Sequence, residues 1–205
     1  MEYQFRPLEW NSLKGVIGEQ IARSFIRTQL APRLITKEGW NTVVLSTNDY
    51  RRHRGAWNEK LFRFDHFRED FIVHGVCADT MLLSKYAMVI GVLGQNQCTP
   101  DGLLLKLRET GRTKRWKKSA CPSIAELRIR NSPKYGSFFE FPIVEGDLEV
   151  VEIKCGRNAK LMGKQKETYN NLIAKGVPLR MVNVRIISFD RNKFLVEERK
   201  FKQFL

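Results

Sequence analysis

Gly146-Asp147-Leu148-Glu149-Val150-Val151-Glu152-Ile153-Lys154-Cys155-Gly156 is the stretch on which the fold turns. Its apolar, β-branched run predicts a core strand that stops at a glycine. Side chains alternate along a strand, so Leu148, Val150, Glu152 and Lys154 share one face while Glu149, Val151, Ile153 and Cys155 share the other. A carboxylate and an ammonium two residues apart on a buried face cost desolvation energy unless they pair or hold a metal. Two readings stay open from these residues: a functional site, or a salt-bridged edge strand whose charges face water.

The chain around it has 205 residues, 42% of them hydrophobic, with 13 phenylalanines. That is enough for one domain with a substantial core and argues against a disordered chain. The net charge of +14 favours a polyanionic partner, nucleic acid ahead of an anionic membrane surface. Half of that charge lies between residues 107 and 136, where nine Lys/Arg face two acids, Glu109 and Glu126. Within it, Arg112, Lys114, Arg115, Trp116, Lys117 and Lys118 form a basic run with an embedded aromatic ring. Such a run suits a nucleic-acid backbone, the ring stacking or wedging; a solvated loop is the plain alternative. Arg51, Arg52 and Arg54 beside Tyr50 make a second basic cluster, and Arg157, Lys160 and Lys164 a third after the opening strand.

Cys77, Cys98, Cys121 and Cys155 form no CxxC pair, and His53, His66 and His74 show no metal-ligand spacing. The start of the chain lacks an apolar leader, and no apolar run reaches the roughly 18 residues of a membrane span. The expectation is an intracellular protein, cytoplasmic or nucleoid-associated and not secreted, with reduced thiols.

The remaining periodicities outline the elements. A helix is predicted from Ser12 to about Leu30, with Leu13, Val16, Ile17, Ile21 and Phe25 on its main stripe and Pro32 ending it. Glu19 sits on a second, partly apolar face with Ala22, Ile26 and Leu30. Strands are predicted at 39–46, from the turn at Pro100-Asp101-Gly102, at 179–189 and at 194–196. An amphipathic helix over 57–72 is assigned to a partner or second subunit, and a core helix to 77–92. A last helix to about Lys175 carries Leu161, Gln165, Tyr169, Leu172 and Ile173 inward and stops at Gly176.

Three of these pieces supply the parts of one reaction. Phosphodiester hydrolysis needs oxygen ligands for Mg²⁺, an activated water and cationic relief of the developing charge. Asp101 opens one strand, Glu152 and Lys154 lie on another, and Gln165 follows on a helix. Two carboxylates can hold the metal, the Ile153 carbonyl can add a third oxygen, and a lysine beside the metal can position water and stabilise the transition state.

The order Pro100-Asp101, Glu152-Ile153-Lys154, Gln165 resembles the PD-(D/E)XK nuclease superfamily. Lys14-Gly15-Val16-Ile17-Gly18-Glu19 with Gly39-Trp40 is similar to archaeal Holliday-junction resolvases. Val151-Glu152-Ile153-Lys154, Lys160-Leu161-Met162-Gly163-Lys164-Gln165-Lys166 and Gly176-Val177-Pro178 resemble VRR-NUC nucleases. The resemblance implies an α/β chain with a restriction-endonuclease-like core, helices on both faces of a central mixed sheet. It implies a Mg²⁺-dependent DNA endonuclease (Mn²⁺ substituting) for branched or structured DNA, as a homodimer. Asp101 and Glu152 would be metal ligands, Lys154 the catalytic lysine, Glu19 an accessory acid and Gln165 an orienting group. The alternatives are a restriction-type sequence-specific enzyme and a catalytically silent DNA-binding protein. One domain spanning 1–205 is expected, with insertions at about 49–97 and 107–144. Asp101 and Glu152 are 51 positions apart, so Glu126, Glu140, Glu145 and Asp147 compete for the second carboxylate. Asp101 leads because it follows Pro100 and precedes a clean apolar strand.

Overall fold

The computed structural model describes residues 7–46, 76–96, 98–117, 138–156, 160–188 and 193–203. The predicted helix over 57–72, the cluster Arg51, Arg52 and Arg54, and Lys118, Glu126 and Arg157 lie outside the described residues, as does the Trp116 ring.

The chain opens with α1 (Pro7–Phe25), a π-helical turn (Ile26–Leu30) and α2 (Ala31–Glu38). The expected stop at Pro32 does not occur. A proline inside a helix lacks one N–H and crowds the carbonyl four residues back. Here the turn before it is widened, Ala31 N–H reaching the Ile26 carbonyl five residues back, and the helix continues past the ring. Gly39, at φ 69°, ends it in the left-handed conformation, its N–H on the Ile35 carbonyl.

Then come β1 (Thr42–Ser46), β2 (Cys77–Ala78) and α3 (Thr80–Gln95), which Asp79 caps by accepting the Leu82 N–H at 2.8 Å. β3 (Gly102–Lys117), β4 (Phe138–Cys155), α4 (Gly163–Ala174), β5 (Leu179–Ser188) and β6 (Lys193–Phe201) complete the order. The strands form one six-stranded sheet in the order β1-β3-β4-β5-β6, with β2 also paired to β4. β4 runs parallel to β2 and β5; the other pairings are antiparallel. The sheet is therefore mixed, as expected for a restriction-endonuclease-like core.

Strand alternation divides the core in two. Leu103, Leu105, Leu148, Val150 and Leu179 pack with α3 and α4 through Leu82, Tyr86, Val89, Tyr169 and Leu172. On the other face Leu104, Val151, Val182 and Val184 meet Ala22, Ile26, Leu30 and Leu34 of the first helical run. Each such buried side chain contributes about 1.5–3 kcal/mol. Helices thus cover both faces of the sheet, and no described helix is long and apolar enough to cross a membrane.

Both expected insertions overlap elements of the sheet and its cover. α3, within 49–97, supplies core residues, and β2 joins the sheet. Residues 107–117 and 138–144 continue β3 and β4 as one long antiparallel ribbon. Between the pairs Glu109–Val144 and Thr113–Pro142, β3 advances four residues against two on β4. Gly111, at φ 74°, lies in this bulge.

Candidate functional site

The antiparallel ladder sets the geometry. Gly102 pairs with Val151, so the preceding residue, Asp101, reaches the level of Glu152 on the neighbouring strand. Asp101 Oδ2 accepts the Ile153 N–H at 2.7 Å. The antiparallel pairing of β3 with β4, from Gly102–Val151 to Lys117–Phe138, thus returns Glu152 to Asp101 across their 51-position separation. Val150 and Gly156 direct their N–H groups to the Pro178 and Val184 carbonyls on the β5 side. Ile153, of opposite parity, faces the β3 side. A strand residue's N–H and C=O point the same way, so the Ile153 carbonyl also faces that edge, beyond the start of β3.

Glu152 is 3% exposed. Its Oε1 accepts from Lys154 Nζ at 2.7 Å and Gln165 Nε2 at 3.0 Å, and its Oε2 from the Tyr169 hydroxyl at 2.5 Å. Three of the roughly four acceptor positions of a carboxylate are filled. Lys154 also reaches Gln165 Oε1 at 3.4 Å. Gln165 is set on the first turn of α4, where its Oε1 accepts the Met162 N–H at 3.2 Å.

Burial, and next the charge of Asp101, push the Glu152 carboxyl above its ordinary range, against the opposing pull of Lys154 and Tyr169. Burial likewise pushes up the Tyr169 hydroxyl and the Cys98 thiol, which hydrogen-bond one another. Tyr169 therefore stays a neutral donor to Glu152. Sequence reasoning placed Tyr169 on the inner face of its helix and missed its hydroxyl. The available signal was its spacing: four residues after Gln165, one helical turn along the same face.

The other candidates fall elsewhere. Glu19 accepts from Arg23 within its own helix turn, with Nε at 3.0 Å. It follows Gly18, where a Cβ would come within 2.7 Å of Cys155 Sγ, so this glycine lets α1 close onto the end of β4. Glu140 and Glu145 are exposed on β4. Asp147 lies on the opposite face from Glu152 by strand parity, paired to Lys85 and to Lys106. Arg112, Lys114, Arg115 and Lys117 are exposed on the ribbon, with Arg115 stacked on Phe138 at 4.1 Å. They begin 11 residues beyond Asp101 on the same chain, about 35 Å at the rise of a strand. Lys160 is exposed ahead of α4 and Lys164 is exposed on its first turn.

A second charged cluster was absent from the sequence reading. Glu149, fully buried, accepts from Arg180 Nε at 2.7 Å, from Lys200 and from Lys106 Nζ at 3.0 Å. Burial alone would raise its pKa; the Arg180 contact, then Lys200 and Lys106, bring it down to about 2. Among the described residues no group of three or more His, Cys, Asp or Glu gathers as a metal cage; Asp101 and Glu152 are two acids near enough for the charge of one to raise the pKa of the other. Comparisons with protein-family models, curated proteins and solved structures gave no match to this chain.

Proposed function

We propose that the chain is a Mg²⁺-dependent endodeoxyribonuclease of the PD-(D/E)XK type, acting on branched or structured DNA as an intracellular homodimer. The observation that carries this reading is the level pairing of Asp101 with Glu152, with Lys154 and Gln165 both hydrogen-bonded to that glutamate. Two repelling carboxylates, one with an acceptor position left, and a main-chain carbonyl facing the same edge form an all-oxygen donor set. Hard divalent cations take such sets, and Mn²⁺ can replace Mg²⁺ in them.

Asp101, Glu152 and the Ile153 carbonyl would hold the ion. Bound there, it would polarise the phosphodiester and supply an activated water. Lys154 keeps a cation beside the carboxylate pair, where it orients the water and offsets the charge that develops on phosphorus-bound oxygens. Gln165 fixes both partners, donating to Glu152 and accepting from Lys154. Tyr169 holds Oε2 so that the carboxylate cannot rotate away. Glu19 would act as the accessory acid once Arg23 releases it. The basic ribbon supplies phosphate contacts away from the reacting bond.

Incubation with four-way-junction, flap and linear duplex DNA, in Mg²⁺ and in EDTA, tests this. Metal-dependent nicking of the branched substrates is expected. Cutting of linear duplex at one fixed sequence would move the assignment to a restriction-type enzyme. Tight binding without cleavage under Mg²⁺ or Mn²⁺ would leave a DNA-binding protein.

A further inference from the structure

Among the described residues, the buried side-chain atoms without a hydrogen-bond partner are Asn183 Oδ1 and Arg185 Nε. A buried polar atom left unmatched costs free energy. Strand alternation places both residues on the face of the sheet that carries Glu152 and Lys154. Val182 and Val184 pack against the first helical run, which turns Asn183 and Arg185 to the other side. In the parallel β4–β5 register Asn183 is level with Lys154, and neighbouring strands lie about 4.8 Å apart.

Lys154 is the donor placed to meet Asn183 Oδ1. Its ammonium has three N–H groups. One is on Glu152 Oε1 at 2.7 Å, and one reaches Gln165 Oε1 at 3.4 Å, a long hydrogen bond. The Lys154 side chain is 19% exposed, and its flexible four-carbon stem lets the ammonium swing between neighbours. Arg185 is drawn the other way: its Nη2 donates to Glu197 Oε1 at 3.2 Å, on β6, across β5 from Lys154. Oδ1 is closed to solvent, so its partner comes from the protein rather than from water or substrate.

We infer that Asn183 is a positioning residue whose Oδ1 is a second seat for the Lys154 ammonium, taken when a divalent ion occupies Asp101 and Glu152. The inference rests on the metal site of the nuclease reading. Without the ion, Lys154 supplies the positive charge that Glu152 needs. Beside a divalent ion the ammonium is repelled, and a neutral amide oxygen accepts it without adding charge. With that seat removed, the ammonium either stays against the ion or loses a partner in a partly buried place, and both weaken metal binding.

Mn²⁺ binding without DNA, read by electron paramagnetic resonance of the free ion, tests this through a double-mutant cycle on Asn183→Leu and Lys154→Met. Asn183→Leu alone should weaken Mn²⁺ binding about tenfold. In the Lys154→Met chain the same change should shift it by no more than about twofold, because no ammonium needs a seat. Equal losses in both backgrounds would make Asn183 a packing residue and overturn the inference while the metal site stands. Asn183→Ala replaces Asn183→Leu if the leucine variant does not fold. Asn183→Asp keeps an acceptor in the same place and should bind Mn²⁺ at least as tightly as the parent chain; a loss equal to that of Asn183→Leu overturns the seat. Arg185→Met should not weaken Mn²⁺ binding, and a loss matching that of Asn183→Leu would assign Oδ1 to Arg185 and overturn the role at Lys154. The expected coupling in a chain that never cuts DNA keeps the seat and removes the nuclease. A parent chain that binds no Mn²⁺ overturns both.

Discussion

Glu149 and Glu152 lie three residues apart on β4 and meet opposite surroundings. Glu149, on the face covered by the first helical run, is met by three cations, Arg180, Lys200 and Lys106. Glu152, on the other face, has one cation, Lys154, and a second acid, Asp101, close enough to raise its pKa. Burial penalises both carboxylates. Compensation decides the outcome: Glu149 is held ionised down to about pH 2, whereas Glu152 is pushed toward its neutral form. A fully matched buried acid is a structural rivet. An under-matched one beside another acid is the arrangement that the proposed cation site requires.

The contrast breaks most visibly in activity. Glu152→Ala or Lys154→Ala should lower the cleavage rate about a thousandfold or more. Glu152→Gln should be as inactive yet melt at the same or a higher temperature, because burial and the Asp101 charge penalise the ionised form that the substitution removes. Calorimetry showing a clear loss of stability in Glu152→Gln would remove the under-matched reading.

Next in size is the structural half. Glu149→Ala leaves Arg180, Lys106 and Lys200 facing one another without their acid. It should cost about 3–5 kcal/mol in urea unfolding, out of a total of about 5–15. Cleavage by the molecules that remain folded should be unaffected, which separates it from Glu152→Ala.

The pH dependence follows with opposite signs for the two acids. Glu149 has a folded pKa of about 2, below its ordinary 4.5. Its contribution, about 3 kcal/mol, is fully present above pH 4.5 and lost as pH falls toward 2. Asp147, held low by Lys85 and Lys106 despite its burial, adds in the same direction. Glu152 is raised, so its ionised form opposes folding above pH 4.5 and stops doing so below it. Urea midpoints across pH should therefore fall in acid for the parent chain and fall less steeply for Glu149→Ala. Any advantage of Glu152→Gln should be largest at neutral pH and gone in acid; parallel curves for all three chains would contradict the assignment.

The smallest effect is expected at Tyr169. Tyr169→Phe removes one donor to Glu152 and should weaken Mg²⁺ dependence about tenfold, the usual scale for a group that orients a metal ligand. A Mg²⁺ titration of the cleavage rate with an unchanged midpoint would exclude that role.

Much of this contrast was legible beforehand, and its omissions have physical causes. Strand alternation alone put Glu152 and Lys154 on one face and Glu149 on the other, because period two leaves no choice once the strand is buried. Asp101 was legible through Pro100 and the leucines after it, although its partner lies far along the chain. Glu149 passed unnoticed because its cations come from β3, β5 and β6, and no local spacing encodes such contacts. The strand character of the ribbon escapes the sequence because exposed basic residues hide the alternation of a two-stranded element. Pro32 misled for a reason internal to the helix: a widened turn removed the clash that the ring would have caused. The ring of Trp116 and the cluster around Arg51 lie outside the described residues.

The bulge at Gly111 bears on how this architecture tolerates change. A slip of one residue between β3 and β4 would turn every side chain to the opposite face and carry Asp101 away from Glu152. The surplus on β3 is two residues, an even number, so alternation is restored on either side of it. The register at the carboxylate pair is set by the inner ladder from Gly102 to Glu109, on the near side of the bulge.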